Sequence, residues 1–204
     1  VKGRRLIILG FGGHARSVAD IAVACGYSDL IFVDGNAREG EHFLGHPVLA
    51  SLDISAQGCD VFPGGGDNTR RKQQCEEIVL LGLTPATLIS PLASIGIGSS
   101  VAAGCFVGNH AHIGPMAEVS LGCIINSGAI VEHESKVGAY SHVSVNASIA
   151  GRSTLGSLSM LGAGATIIDG VDVGDHITIG AGAVVHRSIS APGIYVGIPA
   201  IQRA

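Results

Sequence analysis

The side chains best suited to chemistry are His133 and Glu134, in the run Val131-Glu132-His133-Glu134-Ser135-Lys136. An imidazole accepts a proton at neutral pH, and an adjacent carboxylate fixes its tautomer and favours the imidazolium. Such a pair can take the proton from an amine or hydroxyl as that group attacks an acyl carbon. Covalent catalysis has no comparable signal. There is no Gly-x-Ser-x-Gly elbow, and Cys105 and Cys123 fall on inward positions where a thiol is inert. The five cysteines form no Cys-x-x-Cys pair, which points to a reducing, cytoplasmic setting and away from a cysteine zinc site.

A second kind of chemistry, phosphate binding, is written near the start of the chain. Residues 5–9 read as a buried strand that runs into Gly10-Phe11-Gly12-Gly13-His14. Residues 15–25 have helical apolar spacing, with Gly26 as C-cap candidate, and residues 30–33 are a strand ending on Asp34. Glycines let a phosphate approach the backbone, the helix N-terminus favours its charge, and an acid after the second strand can read a ribose or base. Ala15 stands where a dinucleotide fingerprint has its third glycine. The segment is also too short for a two-half Rossmann domain, so it is a truncated unit of that kind. Residues 59–62 form another short strand. It leads into Pro63-Gly64-Gly65-Gly66-Asp67-Asn68 and a helix over 69–81, capped by Asp67 or Asn68. Both glycine loops lie at carboxyl ends of strands and are expected to face one site.

The element that must carry His133 is a repeat. From Ile89 to Val185, seventeen consecutive sixth positions are aliphatic, without a break. The residue four places later is Ala, Ser or Cys in all but three cases. A period of six fits neither a helix nor an open sheet; it is the hexapeptide repeat of a parallel β-helix, three hexads to a triangular coil. The aliphatic and small residues point inward. Glycine recurs at the second position, as at Gly96, Gly108, Gly114 and Gly138, where unusual corner angles are expected to need it. In this frame His133 stands outward at a corner, with Gly151 stacked eighteen residues on and open space above the imidazole. His110, His112, His142, His176 and His186 also face outward. A last strand over 194–200, stopped by Pro199, covers the final coil. The expected domains are 1–86, a small Rossmann-like unit, and 87–204, the β-helix. A net charge of -4 argues against a nucleic-acid partner. No N-terminal apolar run has the length of a signal or membrane span.

The glycine loop with Asp34, the run Gly66-Asp67-Asn68-Thr69-Arg70, Asn126-Ser127-Gly128 through Glu134, and Tyr140-Ser141-His142 carry a resemblance. So do Leu161-Gly162-Ala163-Gly164 and Val196-Gly197-Ile198-Pro199-Ala200. Together the chain resembles bacterial sugar acyltransferases that join a small α/β domain to a left-handed β-helix, of the sialic acid O-acetyltransferase and nucleotide-4-amino-sugar N-acetyltransferase type. The resemblance implies a homotrimer that takes acetyl-CoA between neighbouring prisms and needs no metal. It implies His133 as base and Glu134 as its partner. Gly10, Gly12, Gly13, His14, Asp34, Gly66, Asn68 and Asn126 would contact the nucleotide-activated amino sugar. His142, Gly151, Gly164 and Ala181 would lie along acetyl-CoA. The expected reaction is N-acetylation of a 4-amino-4,6-dideoxy sugar in surface-glycan synthesis. The alternatives are sugar O-acetylation, a trimeric β-helix metalloenzyme drawing on outward histidines, and a non-catalytic nucleotide-sugar binding trimer. Gly35-Asn36 and Ile198 depart from the family pattern.

Overall fold

The computed structural model describes residues 3–54 and 58–203. The chain divides into two compact units, Val1–Leu88 and Ile89–Ala204. The first runs β1 (Arg4–Leu9), α1 (Gly13–Ala24), β2 (Tyr27–Val33), β3 (His42–Phe43), β4 (His46–Leu49), β5 (Asp60–Pro63) and α2 (Asn68–Leu80). The sheet order is β3-β4-β2-β1-β5, and β1 pairs in parallel with both β2 and β5. The continuous run Leu6-Ile7-Ile8-Leu9 is buried, as a strand covered on both faces requires. β2 begins at Tyr27, three residues before its apolar run. Its polar start hides the strand, and Asp29 there accepts from Arg5 Nε at 2.6 Å. The β3–β4 hairpin has no counterpart in the sequence reading. Its turn is Leu44-Gly45, both left-handed (φ 50° and 84°), without the Asn-Gly or Asp-Gly pair that usually announces such a turn.

In the second unit, short strands β6 (Leu88–Ile89) to β22 (Val184–Val185) follow one another every six residues. Each carries one aliphatic residue of the repeat, so the periodicity and the strands coincide. The strands stack on three faces with an eighteen-residue register, as His112↔Ile130↔Ser148 and Ile124↔His142↔Met160 show. The aliphatic residues from Val107 to Val185 fill the interior, each no more than 3% exposed. The small inward residues are not only small. Ser135, Ser141, Ser153 and Ser159 each donate a hydroxyl to a carbonyl fifteen residues on, at Ala150, Gly156, Ile168 and Gly174, over 2.5–2.9 Å. Cys105 and Cys123 do the same to Ser120 and Gly138 at 3.0 and 3.1 Å. They cap corner carbonyls that would otherwise be buried unpaired.

The glycine expectation needs correcting. Every fourth hexad position from Gly98 to Gly182 is left-handed, and His110, Met116, Glu134, Tyr140, Asn146, Arg152, Leu158 and His176 adopt that geometry without being glycine. The second-position glycines have no positive φ. Their need is close approach: a Cβ on Gly114 would lie 2.6 Å from His133 N, and one on Gly138 would lie 2.4 Å from Ser157 N. The C-terminal reading is corrected in detail as well. β23 (Gly193–Val196) extends one face in parallel with β21 (Ile177–Ile179). The chain then turns, and β24 (Ile201–Gln202) returns antiparallel.

Candidate active site

His133 and Glu134 stand on the corner after strand β13 (Ile130–Val131). That corner is tied to both neighbours: Arg152 N–H donates to the His133 carbonyl, and Glu134 N–H donates to the Pro115 carbonyl, each at 2.9 Å. Gly114 lies against the backbone of residues 132 and 133. On the other side a Cβ on Gly151 would sit 2.5 Å from both Cε1 and Nε2 of His133 and 3.0 Å from Asp169 Oδ1. The imidazole therefore occupies room that only glycine leaves. His133 Nδ1 is 3.3 Å from Glu134 Oε2. Both side chains are about half exposed, so the electrostatic worth of this pair is small and its main effect is orientation.

Asn126 and His142 form a second pair, with Asn126 Nδ2 3.2 Å from His142 Nε2. Asn126 Oδ1 accepts from Ser127 N–H at 2.8 Å, which directs the amide nitrogen at the imidazole. Nε2 of neutral His142 is then the acceptor, and its proton lies on Nδ1. In the same corner column, Ala163-Gly164 and Ala181-Gly182 are small and exposed, leaving bare backbone where an extended ligand could lie. This column and the His133 corner flank opposite ends of one prism side. At about 3.3 Å per strand residue that is a separation on the order of 15–20 Å. One chain therefore brings His133, Glu134 and Gly151 together, and separately Asn126, His142, Gly164 and Ala181.

The glycine loops form the third group. β1 and β5 are parallel neighbours whose connections leave in opposite directions, so the loops after them open at the switch point of the sheet. α1 has Gly12 as its N-cap, with no side-chain cap and no acid in its first turn. A helix N-terminus of this kind favours an anion, and added Cβ atoms at Gly12 and Gly13 would meet nothing within 4 Å. α2 is capped by Asp67, which accepts from Arg70 N–H at 2.8 Å. Asp34 accepts from Phe11 N–H at 2.9 Å and Asn36 N–H at 3.0 Å, and Arg70 lies 3.6 Å away. Its carboxyl is held below the usual range, most strongly by the Asn36 N–H, with Phe11 N–H and Arg70 adding to it against partial burial.

Two residues that sequence reasoning missed hold these loops. Arg71, fully buried, donates to the carbonyls of Gly65 and Gly66 and to Asn68 Oδ1 at 2.8–3.2 Å. Gln74 accepts from Gly65 N–H and donates to the Leu9 carbonyl, joining the two loops. Asn68 thus orients Arg71, and Gly66 packs its backbone against His14. The only sequence signal for either residue is a polar side chain on the apolar face of α2. Phe11, Phe32 and Phe43 make edge contacts at 5.2–5.8 Å, and the Arg16 guanidinium lies 4.7 Å over the Phe11 ring. The Cys105 thiol is pushed well above its ordinary value, first by its bond with Cys123 and then by burial, so it is no nucleophile. Among the described residues, no group of three or more His, Cys, Asp or Glu side chains could hold a metal, and no helix is long and apolar enough to cross a membrane.

Residues 5–78 match the family described as the PglD N-terminal domain. Among curated proteins no sequence matches. The structure is similar to the acetyltransferase domain of PglB from Neisseria gonorrhoeae FA1090 in complex with acetyl coenzyme A. Identity is 30%, with 98% of this chain and 99% of that one covered and a TM-score of 0.91. It is also similar to PerB from Caulobacter crescentus in complex with CoA and GDP-perosamine, at 28% identity, 100% and 99% coverage and a TM-score of 0.88. WeeI from Acinetobacter baumannii AYE, at 18% identity and a TM-score of 0.70, shares the fold. The chain belongs to the bacterial sugar acetyltransferases in which a PglD-type α/β domain precedes a left-handed β-helix.

Proposed function

We propose that the protein transfers the acetyl group of acetyl-CoA to the amino group of a nucleotide-activated 4-amino-4,6-dideoxy sugar, a step in surface-glycan synthesis. The observation that carries this reading is the presence in one chain of an uncapped phosphate-type loop and a solvent-facing His133–Glu134 pair. The relative in complex with CoA and GDP-perosamine supports it.

In this reading the acceptor amine attacks the thioester carbonyl carbon. His133 takes the amine proton as the C–N bond forms, a contribution of roughly 10²–10⁴-fold. Glu134 holds the imidazole and stabilises its charge. The His142 Nδ1–H faces the oxygen that becomes negative in the tetrahedral intermediate. The C–S bond then breaks, and the departing thiolate receives the proton from His133. Bare backbone at Gly164 and Ala181 gives an extended acyl donor a track. Because His133 and the Asn126–His142 pair stand at different corners of one prism, the complete site takes His133 and Glu134 from one copy and Asn126, His142, Gly164 and Ala181 from the next. Three copies around a threefold axis close this arrangement.

The test is thiol release from acetyl-CoA in the presence of UDP-, GDP- and dTDP-linked 4-amino-4,6-dideoxy sugars. One of them should turn over, and His133→Ala should lower kcat about 10²-fold or more. A variant keeping over a tenth of the wild-type rate would sink the base assignment. Co-assembling His133→Ala with His142→Ala should restore activity absent from either alone, because mixed assemblies contain intact shared sites. No recovery in co-assembled material would argue for a site within one chain.

A further inference from the structure

We infer that Arg70 is a diphosphate-binding residue that must leave Asp34 when substrate binds, so that Asp34 reads the ribose or base only once a diphosphate has drawn Arg70 away. This rests on the proposed nucleotide-sugar reading and deepens it. A carboxylate offers about four lone-pair sites, and around Asp34 three are hydrogen-bonded while Arg70 faces the fourth. Oδ2 receives Phe11 N–H at 2.9 Å and faces Arg70 Nη2 at 3.6 Å. Oδ1 receives the Asn36 backbone N–H at 3.0 Å and the Asn36 side-chain amide at 3.3 Å. The remaining site on Oδ2 faces the Arg70 guanidinium, so a ribose hydroxyl or base N–H takes it only if Arg70 moves aside.

Three of the four donors are hydrogen-bonded and come from the loops that shape the site. Arg70 is the exception: it stands beyond hydrogen-bond range, and its side chain is 55% exposed. It also occupies the first turn of α2, where the helix dipole disfavours a cation. Its charge therefore wants an anion that the fold supplies only loosely. The glycine loop places that anion within reach, since a Cβ on Gly10 would lie 3.9 Å from Arg70 Nη2. A diphosphate seated on the α1 N-terminus gives the guanidinium two charged oxygens in place of one distant carboxylate. The exchange makes recognition ordered: the charge is recognised first, and Asp34 becomes an acceptor for the nucleoside second.

Calorimetric titration of the full chain with UDP, GDP and dTDP, and with uridine, guanosine and thymidine, tests this for wild type, Arg70→Gln and Arg70→Lys. In Arg70→Gln the diphosphate that binds wild type should lose about tenfold or more in affinity, while its nucleoside binds as well or better. Arg70→Lys should recover part of the diphosphate affinity. Unchanged diphosphate binding in Arg70→Gln would overturn the inference. So would an equal loss for diphosphate and nucleoside, which would mark Arg70 as structural. If wild type binds none of the diphosphates, the nucleotide reading itself falls, an outcome distinct from both.

Discussion

In the prism, the corner carrying His133 is held by backbone hydrogen bonds that recur in every coil; in the α/β unit, the glycine loops are held by Arg71 and Gln74, which occur once. The first arrangement is repetitive, so the exposed side chain at a corner is free to be chosen for chemistry while the ladder beneath supplies its position. The second is singular, so removal of one buried side chain loosens two loops together. Glycine marks the same contrast. Gly114 and Gly151 have neighbours that leave a Cβ no room, whereas a Cβ at Gly12 or Gly13 would meet nothing within 4 Å.

The contrast can be broken most sharply at Gly114. Gly114→Ala forces a Cβ into the backbone at residues 132 and 133, overpacking that should cost about 1–3 kcal/mol in thermal unfolding. It should also displace the imidazole enough to lower kcat about 10²-fold. Gly12→Ala has room (φ -75°, extended) and should melt near wild type, raising acceptor KM only through a poorer phosphate approach. Equal effects of the two substitutions on melting would dissolve the distinction.

Arg71→Met tests the α/β side. Gly65 and Gly66 carbonyls and Asn68 lose their donor, offset in part by relief of a buried charge, for a net loss of about 2–4 kcal/mol. Acceptor KM should rise several-fold while KM for acetyl-CoA stays unchanged. A rise in both would mean that the loops and the prism are not independently held.

The smallest effect concerns Asp34. Its folded carboxyl is held below its ordinary value, so the stability it contributes is present above about pH 4 and is lost as pH falls through the lower folded value. Urea unfolding between roughly pH 3 and 6 should show a steeper acid-side loss for wild type than for Asp34→Asn. Superimposable pH profiles would show that the donors around Asp34 do not favour its charge.

Much of the prism was legible in advance, down to the outward placing of His133 and the inward placing of Cys105 and Cys123. A six-residue period leaves one consistent orientation for each position, since the interior accepts only the aliphatic and small residues. The β1-α1-β2 unit and the second glycine loop were legible for a similar reason: apolar runs and glycine turns are local signals. The β3–β4 hairpin was not, because Leu44 adopts a left-handed turn that its residue type does not announce. The roles of Arg71 and Gln74 were invisible because a polar residue in a helix reads as solvated until the loops it reaches are folded around it.

Sequence alone determined that there is a β-helix, which residues face in or out, and that a His–Glu pair and a phosphate-type loop share one chain. These follow from periodicity and from the conformational limits of single residues. Tertiary structure alone decided that His133 and the Asn126–His142 pair occupy different corners, that inward serines cap carbonyls fifteen residues away, and that Asp34 accepts three hydrogen bonds with Arg70 beside it. Each of these is a distance between residues far apart in the chain, set by stacking and by parallel strand order rather than by any local pattern.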